Sequence, residues 1–151
     1  MAGCTENRSF LRLGHIVLRV RDVSRSEAFY GDILGLSVTS RDLGMVFMSA
    51  DGDRSHELAL IEASANGTGP EPGAPGLAHF AWQAGSLDDL RLIRGRLSER
   101  GVTVTGVGSH GISIGVNFLD PDGNRVEIFY ELPKEMWPDK GLFLGEFPWP
   151  L

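Results

Sequence analysis

The chain has 151 residues, 42% of them hydrophobic and 23% charged, a balance that suits one folded domain with a buried core and argues against disorder. A net charge of -6 lacks the basic footprint of a phosphate-tracking surface, so no nucleic-acid partner is expected. No stretch approaches the roughly 20 apolar residues that span a bilayer, residues 1–13 lack the apolar core of a secretory leader, and the single cysteine, Cys4, has no partner for an internal disulfide; the chain reads as cytoplasmic, without a membrane partner.

In chain order, residues 14–20 read as a strand, Val23–Leu34 as a helix stopped by Gly35, and residues 36–41, Met45–Ser49 and 56–62 as three further strands. A glycine- and proline-rich stretch over 66–76 excludes regular structure and separates two similar halves. Past it, residues 77–83 read as a strand, and Ser86 caps a helix that carries Leu90, Ile93 and Leu97 on one face and ends at Gly101. Residues 102–105, Ser113–Leu119 and Arg125–Glu131 supply three more strands, so the order strand, helix, three strands occurs twice.

Alternation along a strand decides which side chains share a face. Ile16, Leu18 and Val20 fall on one side and His15, Val17 and Arg19 on the other; Phe80 and Trp82 alternate in the same way with His79 and Ala81, and Val126, Ile128 and Tyr130 with Glu127 and Phe129. Three strands from two halves thus each offer one metal-type ligand, His15, His79 and Glu127, on the face turned away from the helices. Two imidazoles and a carboxylate on one face of a divalent ion leave adjacent coordination positions open, the arrangement of non-heme iron(II) oxygenases. The remaining histidines, His56 and His110, are left for proton chemistry.

Gly14-His15, Phe29-Tyr30 with Leu34-Gly35-Leu36, and Asp120-Pro121-Asp122-Gly123-Asn124 ahead of Glu127 resemble the vicinal oxygen chelate superfamily over about residues 11–132. Gly108-Ser109-His110, Val116-Asn117 and the turn leading to Glu127, together with His56-Glu57-Leu58-Ala59-Leu60, are similar to its type I extradiol ring-cleavage dioxygenases. The resemblance implies an α+β fold of two βαβββ modules, about 11–63 and 77–132 with a linker at 64–76 and a tail at 133–151, forming an incomplete barrel around a metal cleft within one domain of residues 1–151. It implies iron(II), or manganese(II), held by His15, His79 and Glu127, with His56 as acid-base group and His110 as hydrogen-bond donor to substrate or oxygen. The implied partners are an aromatic diol and dioxygen, and a homodimer follows from family habit. One departure stands out: Asn117 occupies the position, ten residues (127 minus 117) before the glutamate, where the family carries tyrosine, so a catalytic role there passes to a group that hydrogen-bonds without titrating near neutrality.

Two other readings compete. In glyoxalase-type lyases and isomerases of the superfamily, a carboxylate from the strand of Glu57 is a further ligand, and strand parity lets only one of His56 and Glu57 face the cleft. In a third class, non-catalytic members bind aromatic drugs without metal. The Asp120-Pro121-Asp122-Gly123 segment reads as a turn device without chemistry. The tail, with Met136-Trp137-Pro138 and Phe147-Pro148-Trp149-Pro150, is too aromatic for an idle linker and is expected to pack on its own barrel, over the cleft mouth or on a neighbouring subunit.

Overall fold

Each half of the chain folds as a strand, a helix and three strands, and the helix borders follow from local chemistry. The computed structural model describes residues 11–71 and 73–151; Cys4 and the linker's Pro72 lie outside the described residues. In the first half, β1 (Ile16–Val20) leads into α1 (Val23–Leu34), whose N-terminus is capped by Asp22 accepting from the Arg25 N–H and whose end is turned by Gly35 at φ 74°. β2 (Ser37–Asp42), β3 (Met45–Ser49) and β4 (Leu58–Glu62) follow. In the second half, β5 (Phe80–Gln83) precedes α2 (Leu87–Glu99), capped by Ser86, and then come β6 (Val104–His110), β7 (Ser113–Leu119) and β8 (Arg125–Glu131).

The strands form two mixed four-stranded sheets, ordered β1-β4-β3-β2 and β5-β8-β7-β6, so the first strand of each module is an edge strand paired in parallel with the last. Register fixes the faces. Leu18, Val20, Leu58, Leu60, Val126 and Ile128 are buried, and with Tyr30 and Ile33 of α1 and Leu90 and Leu97 of α2 they belong to one continuous apolar core. Fully burying each such side chain contributes about 1.5–3 kcal/mol, which holds the helices on one side of the sheets and leaves the other side for polar residues.

Polar contacts at the Asp120–Asn124 turn tie the modules together. Asp120 Oδ1 accepts from the backbone N–H groups of Asp122 and Asn124, and its Oδ2 accepts from the Tyr30 hydroxyl on α1 at 2.7 Å. Asp122, also buried, accepts from Arg21, Arg25 and Ser26. The turn device expected from sequence is therefore also a clamp between modules. The tail runs back over its own second module, with Phe147 buried in the core and Arg91 and Arg94 of α2 donating to the carbonyls of Pro150 and Leu151. Among the described residues no helix is long and apolar enough to cross a membrane.

Candidate metal and substrate site

The first donors of each module stand just ahead of their edge strands: His15 precedes β1 and His79 precedes β5. Between these strand beginnings lies a cavity of about 450 Å³, lined by His15, Ile16, Arg54, Glu57, His79 and Trp82 among others. Glu127, in the middle of β8, brings Oε2 to 3.3 Å from His79 Nε2. The space for that carboxylate comes from a residue that has no side chain. A Cβ built on Gly115 of β7 would land on Glu127 Oε1, so glycine is what the position requires.

Register extends the same face across the second sheet. Glu127 lies opposite Ala81 on one side and Asn117 on the other, while Gly115 lies opposite Phe129 and Gly108, and His110 opposite Ser113. His110 Nε2 would sit 3.0 Å from a Cβ placed on Gly108, so the imidazole leans over one glycine just as the carboxylate leans over its cross-strand partner. His79, Glu127, Asn117 and His110 thus occupy one side of one sheet. His110 itself is exposed at the end of β6. Glycines 106 and 108, beyond the strand expected over 102–105, lie inside β6; β7 supplies the pairing for them, with a bulge between Val104 and Gly106.

In the first module, the His56 ring packs on His15 with centroids 4.5 Å apart and meets Phe47 edge-on at 5.0 Å. Ser55 Oγ lies 3.1 Å from His56 Nδ1. Glu57 accepts from the Ala50 N–H at 3.1 Å, stands 3.5 Å from Arg54 and borders the cavity. Strand parity does not choose between these two residues, because β4 begins at Leu58 and residue 57 lies in a bend; Glu57 lines the cavity, and His56 is not among its lining residues. Two neighbours outside the regular strand are free of the alternation that a strand imposes.

The donor set suits a divalent cation: two neutral imidazoles and a carboxylate, with the carboxylate already seated beside His79 in the hollow above Gly115. His15 lines the same cavity but lies tilted against the His56 ring, and among the described residues no three histidine, cysteine, aspartate or glutamate side chains are gathered as a ready cation site. Sequence reading missed Gly115 and Gly108, Arg54 at the cavity rim, and Trp82, whose indole N–H is buried without a hydrogen-bond partner. The glycines carried a legible signal, since a lone glycine inside a strand marks a close approach of another group.

Comparison with known proteins bears on the fold and the family. The chain is 31% identical over 126 residues to the catechol-2,3-dioxygenase of Bacillus subtilis, covering 83% of this chain and 43% of that protein. It is 33% identical to biphenyl-2,3-diol 1,2-dioxygenase 3 of Rhodococcus globerulus, covering 78% and 62%. It is also 30% identical to the glutathione transferase FosA of Serratia marcescens, covering 77% and 78%. The chain therefore spans about half the length of the dioxygenases it matches. A solved glyoxalase/dioxygenase from Nostoc punctiforme superposes with a TM-score of 0.70 at 21% identity, covering 88% of this chain and 99% of that one, which shows the shared fold. The paired modules, the relatives, and a match to the family model over residues 12–128 agree: the chain belongs to the glyoxalase/bleomycin resistance protein/dioxygenase superfamily.

Proposed function

We propose that the chain is an extradiol dioxygenase that opens the ring of a catechol-type diol with dioxygen, using iron(II) or manganese(II) held by His15, His79 and Glu127. The observation that carries this reading is the 3.3 Å approach of His79 to Glu127 beside a cavity that His15 also lines, with His110 on the same sheet face. The similarity to two diol dioxygenases supports the substrate class. When bound, the metal supplies a chelating Lewis acid for the diol and a route for electrons to dioxygen.

The chain's own groups do the rest. His15, which lies tilted against His56, would complete the ligand set with the His79–Glu127 pair. His56, whose Nδ1 lies 3.1 Å from Ser55 Oγ, takes the proton of the diol as general base. Ile16, Phe80 and Trp82 give the aromatic ring an apolar wall. His110 donates to the oxygen that gains charge as the ring opens, acting as a fixed donor. Asn117, opposite Glu127, orients substrate by hydrogen bonding, and its carboxamide moves no proton, so proton return falls to the histidines.

A second reading, a lyase, isomerase or transferase with Glu57 as an additional ligand, draws on Glu57 bordering the cavity and on the likeness to FosA. Aerobic assay of iron(II)-loaded protein against a catechol panel separates the two. The dioxygenase reading expects one dioxygen consumed per coloured ring-opened product; metal-loaded protein that consumes none with any catechol overturns it.

A further inference from the structure

His110 is an exposed side chain at a hairpin tip, where a reactive group is ordinarily loose; here both of its neighbours are held by the tail. Ser109 Oγ accepts from the Phe147 N–H at 2.7 Å. The Gly111 N–H donates to the Gly145 carbonyl at 3.0 Å, and the Ile112 N–H to the Leu142 carbonyl at 3.1 Å. Contact is close enough that a Cβ on Gly111, already at φ 52°, would stand 2.5 Å from Leu142 O and 2.6 Å from Leu144 O. The tail is anchored at the far end of this contact: Phe147 is buried against Tyr130 and Trp149, and Arg91 of α2 donates to Pro150 O at 2.6 Å.

We propose that residues 141–149 are a strap that sets the position of His110 over Gly108, with Ser109 and Phe147 as positioning residues. The physical logic is that a donor must be fixed before charge develops for its field to count. A free hairpin tip would spread the imidazole over many placements, and a displacement of about 1 Å can cost on the order of 100-fold in rate. Two backbone hydrogen bonds and one to a serine hydroxyl, all within two residues of the histidine, remove that freedom while leaving His110 itself exposed.

The inference rests on His110 acting in the proposed chemistry, so its test reads the ring directly as well as turnover. Ser109→Ala deletes the acceptor for Phe147, Ser109→Thr retains a hydroxyl, and His110→Gln identifies the His110 imidazole signal in a carbon–proton NMR spectrum. Expected are a shifted or broadened His110 signal in Ser109→Ala, a kcat lowered about three- to tenfold with KM held within about twofold, and recovery of both in Ser109→Thr. On the His110→Gln background, Ser109→Ala is expected to cost nothing more. An unmoved His110 signal, or an equal loss of kcat with and without His110, overturns the strap. If the wild-type protein consumes no dioxygen, the dioxygenase reading fails, and the NMR signal alone decides whether the tail positions the ring.

Discussion

Gly115 is the position at which one added methyl group says most about the site. The atom its Cβ would meet first, Glu127 Oε1, is the far end of a flexible side chain, and Ile128 O follows at 3.2 Å, so Gly115→Ala displaces the carboxylate while costing the fold about 1–3 kcal/mol. Manganese(II) affinity measured by titration calorimetry is expected to fall about 10- to 100-fold, the range for disturbing the support of a ligand. Unchanged affinity would mean that Glu127 is no ligand. Glu57 makes the opposite case. Its carboxylate already accepts from Ala50 and faces Arg54, so Glu57→Gln is expected to keep metal affinity within about fivefold. Loss of the metal in that variant would favour the lyase reading.

Among the elements, α1 and the β7–β8 turn are joined by the buried Tyr30–Asp120 hydrogen bond. Tyr30→Phe leaves Asp120 Oδ2 with Asn124 as partner and is expected to cost about 1–2 kcal/mol in urea denaturation. Desolvation by burial, reinforced by the adjacent Asp120 charge, raises the Tyr30 pKa well above its ordinary value. Below about pH 10 both folded and unfolded chains keep the phenol proton; above it the unfolded chain releases a proton that the folded chain retains, so stability falls as pH rises. The expected result is a decline of wild-type stability above about pH 10 that is shallower in Tyr30→Phe; equal slopes would place the hydroxyl outside the core. Elements of this kind were largely readable in advance: Val23–Leu34, Met45–Ser49, Ser113–Leu119 and Arg125–Glu131 fold over the expected residues because apolar periodicity and capping agree there. β6 was readable only at its start, since Gly106 and Gly108 lie beyond the expected strand and are held in it by pairing with β7. The facing of Glu127 followed from parity alone, whereas His56 and Glu57 escaped it by lying ahead of β4, and the partners of Asp122, a hundred residues away in α1 and just before it, leave no local trace.

At the scale of the molecule, β1 and β5 are edge strands of separate sheets, and the cavity sits where both begin. The helices fill the opposite side with apolar packing, so polar groups from both modules are left facing one region without disturbing the core. The tail completes the second module rather than closing over the cavity, whose lining includes no residue after Trp82. The proposed cation, shared by His15 and the His79–Glu127 pair, would join the modules into one functional unit. Metal content per chain after anaerobic loading with iron(II) and removal of excess, compared for wild type, His15→Ala, His79→Ala and Glu127→Ala, tests that assignment most directly. One ion per chain in the wild type and its loss in each of the three variants is the expected result; a wild type that retains no ion, or any variant that retains its ion as tightly as the wild type, would contradict it.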